Sequence, residues 1–117
     1  MSVPSANETW ILEEGHKVIG KEAKDGKSSL TQWERLVYCL WVADYGMRNA
    51  GDLGTAQDLY ADFHSEGERI AKGLSLSMTS DFFALPRDAF QREYFDRFEL
   101  VCNELKRVGL DGREEKK

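Results

Sequence analysis

Proline is nearly absent from this chain: only Pro4 and Pro86 interrupt its 117 residues, which leaves long stretches free to run as unbroken helix. Long apolar runs are missing too. No stretch approaches the roughly 18 consecutive apolar residues of a membrane-spanning helix, so no membrane association is expected. The opening MSVPSANETW lacks the basic start and apolar centre of a signal peptide. Strict apolar–polar alternation, the mark of a half-buried strand, is absent, and no repeat period appears. Cysteine is limited to Cys39 and Cys102, both inside apolar helical patterns where a thiol serves as a small hydrophobe. A reduced, cytoplasmic protein without a disulfide is therefore expected.

Histidine is equally scarce, and this bears on chemistry. Glu13 and His16 form one Glu-x-x-His pair, whereas four-helix bundles that hold two metal ions carry such a pair on each of two helices. The other histidine, His64, has Ala61 three residues before it, so no metal site is predicted and both rings are expected to face solvent. No cofactor is expected either. Gly46, Gly51 and Gly54 follow no strand and precede no Gly-Lys-Ser/Thr, which excludes a phosphate-binding loop of that type. Neither cysteine has a histidine near it in sequence to serve as a base. The chain is read as non-enzymatic.

What is present is helical periodicity. Trp33, Leu36, Val37, Leu40, Trp41 and Tyr45 recur at three- and four-residue steps on one helix face. Thr31 with Glu34 has the form of a capping box at the start of that helix, and Asn49-Ala50-Gly51 offers an ending. Both Trp33 and Trp41 are expected largely inside. An earlier helix is predicted over about Glu8 to Lys24, capped by Asn7. A third is predicted from Thr55, with Asp58 completing a second capping box, through the stripe Ala56, Leu59, Tyr60, Phe63, Gly67, Ile70, Ala71 and Leu74. Gly67 on that stripe suits a close helix approach. Asp81 to Leu85 reads as a single turn, and Pro86 opens a last helix reaching about Val108, closed by Gly109. The fold class is all-α, a single domain of four main helices plus a short helical turn over residues 1–110, with a frayed polar tail at 111–117.

The charge is unevenly placed. Residues 51–70 hold Asp52, Asp58, Asp62, Glu66 and Glu68 against Arg69 alone, which accounts for −4 of the net −5. On one continuous helix Asp58, Asp62 and Glu66 would line a single face, about 6 Å apart along the axis. Such a face argues against direct contact with nucleic acid. It suits a basic protein partner, either a DNA-binding protein or a toxin to be neutralised, with these five carboxylates steering association. An alternative places a small-ligand or enzymatic pocket between the 49–54 turn and the 75–86 segment, using Asn49, Asp52, His64 and Asp81. A third reading is a homodimer, with Phe82, Phe83 and Phe95 as interface residues.

The run Leu30-Thr31-x-x-Glu34-Arg35-x-Val37-Tyr38, followed by a helix that ends at Arg48-Asn49-Ala50-Gly51-Asp52, resembles part of a family of small, mostly bacterial, all-helical proteins that includes an acidic DNA-mimic protein. The resemblance spans Leu30 to Leu53. Members usually have a glutamate before the turn, near Gly46 of this chain, and an aromatic after it, where this chain has Asp52. What the resemblance implies is an all-helical fold.

Overall fold

The computed structural model describes the backbone of residues 6–115 and side chains of residues 6–108. Among these residues there are six α-helices and no strand: α1 (Ala6–Asp25), α2 (Gln32–Ala50), α3 (Gly54–Leu59), α4 (Phe63–Gly73), α5 (Ser77–Ala84) and α6 (Arg87–Glu115), with a 3-10 turn at Lys27–Ser29 between the first two. No described helix is long and apolar enough to cross a membrane.

Helix α2 is the centre of the fold, packing against α1, α3, α4 and α6. Its ends form as the local sequence dictates. The Glu34 amide donates to Thr31 Oγ1 at 3.1 Å, and the Thr31 amide donates to Glu34 Oε1 at 2.8 Å. Two otherwise orphaned donors are thereby satisfied. At the other end Gly51 takes φ 77° and its amide returns to the Met47 carbonyl, a left-handed closure that glycine adopts without a Cβ clash.

The interior is built from phenylalanine more than tryptophan. Phe63, Phe82, Phe83, Phe90, Tyr94 and Phe98 are all within 1% of full burial, and the Phe82 and Phe90 rings stack at 4.3 Å. The two tryptophans of α2 are instead half-buried at its flank. Trp33 donates its indole N–H to the Leu105 carbonyl, and Trp41 lies between Tyr38 and Tyr45. Phe82 and Phe83 are core, not interface; Phe95, 51% exposed, is the one of the three at the surface.

Three boundaries differ from the sequence reading. Asn7 lies within α1, not ahead of it, and its buried Nδ2 donates to Glu99 and Asn103 of α6. Helix α5 has two turns where a single turn is expected, because a carboxylate from α6 caps it: Glu104 accepts from the Met78 and Thr79 amides and the Thr79 hydroxyl. Helix α6 begins one residue after Pro86 and continues through Gly109 to Glu115. Glycine weakens a helix interior by about 1 kcal/mol but does not forbid it. Lys116 and Lys117, at the end of the expected tail, lie outside the described residues.

Candidate functional site

The predicted helix from Thr55 to Leu74 is broken. Helix α3 stops at Leu59, Tyr60 turns to an extended conformation (φ −157°, ψ 96°), and α4 starts afresh at Phe63. The predicted Thr55–Asp58 capping box is also absent: α3 starts at Gly54 with no side-chain cap bond from its N-cap Leu53. The Gly54 amide instead donates to Asp52 Oδ1, and that of Leu53 to Gln91 Oε1 of α6. With the break, Asp58 and Glu66 no longer share a face of one continuous helix.

Tertiary partners hold the break. The Tyr60 ring packs on Tyr38 of α2 at 5.5 Å, its hydroxyl donates to the buried Glu66 Oε1, and Lys27 Nζ donates to the hydroxyl oxygen at 2.9 Å. On the far side of Glu66, Arg35 donates from Nε at 2.8 Å, with NH2 at 2.6 Å from the same oxygen. Arg69 approaches that oxygen at 3.8 Å. Together Lys27, Arg35, Tyr60, Asp62, Ser65, Glu66 and Arg69 line an open cleft of about 520 Å³.

Charges in this cleft are mutually fixed. Burial pushes the Glu66 carboxyl up, but the Tyr60 hydroxyl and Arg35 outweigh it and hold it below the ordinary glutamate range. Burial, with Glu66 beside it, pushes the Tyr60 phenol up. Lys27 is raised chiefly by its bond to Tyr60. At neutral pH the lining therefore carries three cations and two carboxylates, and Tyr60 is a neutral phenol that both donates and accepts.

The acidic residues are thus divided. Glu66 is only 6% exposed and is neutralised from within, so it presents no charge outward. Glu68 pairs with Lys72 at 3.0 Å. Asp58 and Asp62 are exposed; Asp52 is exposed as well, its Oδ1 taken up by the Gly54 amide. Of the residues assigned to a ligand pocket, Asn49 donates to the Tyr45 carbonyl and Asp81 is exposed on α5. His64 is not solvent-facing as expected: its Nε2 donates to the Leu85 carbonyl at 2.9 Å and its ring lies against Phe63, Phe83 and Phe90. None of Asn49, Asp52, His64 and Asp81 lines the cleft. Sequence reasoning passed over Lys27, Arg35 and Tyr60, whose partners lie some thirty residues away; a tyrosine on an otherwise aliphatic and phenylalanine stripe was the available signal.

Other buried polar groups serve the fold. Both thiols are free and buried, and burial pushes each well above the ordinary range, which leaves them unreactive. Asp44, 2% exposed, accepts from the Tyr94 hydroxyl at 2.6 Å and Arg48 Nε at 2.9 Å. Burial outweighs both partners and raises its carboxyl. Its contribution to stability is therefore full below the unfolded aspartate pKa, near 3.9, and is lost as pH rises through the folded value. Asp44→Asn keeps an acceptor for both donors and removes that slope. Thermal unfolding of both proteins from pH 4 to pH 7 should show the variant gaining on the native chain as pH rises; parallel curves would mean that Asp44 does not titrate as its burial requires. Comparison with protein-family models, curated proteins and solved structures finds no match to this chain.

Proposed function

We propose that this chain is a non-enzymatic interaction module that docks a basic protein partner along the outer edge of α3 and the start of α4. The observation that carries this reading is the set Asp52, Asp58 and Asp62. These three stand exposed and outside the ion pairs formed among the described residues, on the same stretch of chain as Leu59, whose side chain is 47% exposed. Exposed apolar and acidic side chains on one stretch suit a protein interface, the carboxylates setting encounter rate and partner choice, although Arg87, bound to Gln57 of α3, places one cation on the same edge. Glu66 and Glu68 drop out of the contact set because cations of the same chain already hold them. A DNA-binding protein or a toxin supplies the required basic surface.

The test uses the native chain and an Asp52→Asn, Asp58→Asn, Asp62→Asn triple variant as baits at low salt and at about 0.5 M salt, where exposed charges are screened. A basic protein held by the native chain at low salt should be released at high salt. Its association rate constant with the triple variant should fall by about tenfold with a flatter salt dependence, since steering is a rate effect. The variants are at the surface, so the fold should change by no more than about 0.5 kcal/mol each. Equal association rates for the two baits would remove this edge from the interface.

A further inference from the structure

Three cations of a chain with net charge −5 converge on one concavity, and they arrive from separate elements: Lys27 from the 3-10 turn, Arg35 from α2 and Arg69 from α4. Each has donors to spare. Arg35 offers five N–H groups; the carboxylate of Glu66 and the hydroxyl of Tyr60 beside it cannot occupy all of them. Lys27 Nζ has three N–H groups and gives one to Tyr60. The Arg69 side chain is 64% exposed and reaches Glu66 only at 3.8 Å, so its guanidinium is free to fold over the mouth. Ser65 Oγ, held by a long 3.4 Å bond to the Asp62 carbonyl, can turn inward as a further donor. The mouth also lies at the first turn of α4, whose dipole adds positive potential.

Glu66 has a particular part in this arrangement. It is buried and pins Arg35, so the guanidinium is oriented before any ligand arrives. That pre-organisation lowers the entropic cost of binding. The 520 Å³ of space exceeds what a bare inorganic ion fills and lies in the usual range for small-molecule sites. Tyr60 also lines the cleft, with Lys27 Nζ over its ring at 4.4 Å. Asp62 is the only exposed carboxylate of the lining, and it opposes an anion.

We infer that the cleft is a binding site for a small phosphomonoester, with Lys27, Arg35 and Arg69 holding the phosphate oxygens and Ser65 completing the set. A doubly charged, tetrahedral oxyanion matches several donors that approach from different elements, and bidentate arginine recognition favours phosphate. This site is independent of the basic-partner reading, and Asp62 separates the two. Asp62→Asn should weaken the docking of a basic partner and strengthen the binding of a phosphomonoester.

The experiment is a titration of the ¹⁵N-labelled full chain with glycerol phosphate, inorganic phosphate and succinate at constant ionic strength, followed through backbone amide shifts. Saturable shifts are expected at Lys27, Arg35, Ser65 and Arg69 with glycerol phosphate, and weaker ones with inorganic phosphate. Lys27→Met and Arg69→Ala, both at the surface, should each weaken binding about tenfold, the equivalent of 1.4 kcal/mol, with the remaining spectrum unchanged. Asp62→Asn should bind several times more tightly. Shifts that stay linear throughout, or saturation that both cation variants leave unaltered, would overturn the site. Succinate binding as tightly as glycerol phosphate would overturn its assignment to phosphate.

Discussion

Glu104→Ala is expected to cost the fold about 3 kcal/mol. The carboxylate, on a residue 7% exposed, accepts from the Thr79 amide and hydroxyl at 2.7 Å each and from the Met78 amide at 3.2 Å. Helix α5 has no cap of its own, since its N-cap residue is Leu76. Truncation would leave the donors of the fully buried Thr79 without an acceptor, each costing roughly 1–3 kcal/mol. Met78 is 47% exposed, so its amide can turn to water and adds little. The thermal midpoint should fall by about 10 °C. Glu104→Gln should lie between the two, because its amide oxygen can still serve Thr79 while its NH2 faces the Met78 donor. Denaturant unfolding of the three proteins checks this ordering. Glutamine behaving no better than alanine would mean that the charge, and not the acceptor, holds α5.

Gly67→Ala should be the next most damaging change, at roughly 2–3 kcal/mol. A Cβ at this position would meet three atoms of the Phe83 ring at 2.6–2.9 Å. That ring is 1% exposed and is itself packed on Phe82 and Phe90, so it has nowhere to retreat. Gly20→Ala provides the contrast. It also lies inside a helix, but nothing stands within 4 Å of the added carbon, and the substitution should stabilise by about 0.5–1 kcal/mol through helix propensity. Urea midpoints moving in opposite directions would show that packing and not propensity decides at position 67. A tolerated Gly67→Ala would mean that α4 and α5 can separate without penalty, and Gly67→Ala combined with Phe83→Leu should recover part of the loss if the ring is the obstacle.

The features that were legible in the sequence have causes that are local. Thr31 and Glu34 are three residues apart, so their reciprocal cap can be read directly, as can the left-handed closure at Gly51. The close helix approach at Gly67 was also readable, because a glycine on an apolar stripe has few other uses. The division of the third helix was not. No proline or turn sequence within residues 55–74 marks the break; Tyr60 leaves the helix to meet Glu66 and also Tyr38 and Lys27, which lie far back in the chain. Glu66 illustrates the same limit. Its spacing from Asp62 marks it as part of an exposed row, and only Arg35, 31 residues earlier, shows that it points inward. The second turn of α5 depends on Glu104, 25 residues later. The charged cleft follows from these distant pairings, which is why the acidic block with Arg69 was visible in the sequence and the facing Lys27 and Arg35 were not.

The bond between Asn7 and Glu99 spans 92 residues, and it has a bearing on how the protein is made. On the ribosome the first helix emerges long before the last. Until α6 has left the exit tunnel, Asn7 has no acceptor, Trp33 has no carbonyl for its indole, and α5 has no cap. The nascent chain must wait with its central helix exposed along the flank that α6 later covers. Completion of the fold is thereby tied to the synthesis of α6, and chains truncated ahead of residue 99 would present that apolar flank to chaperones.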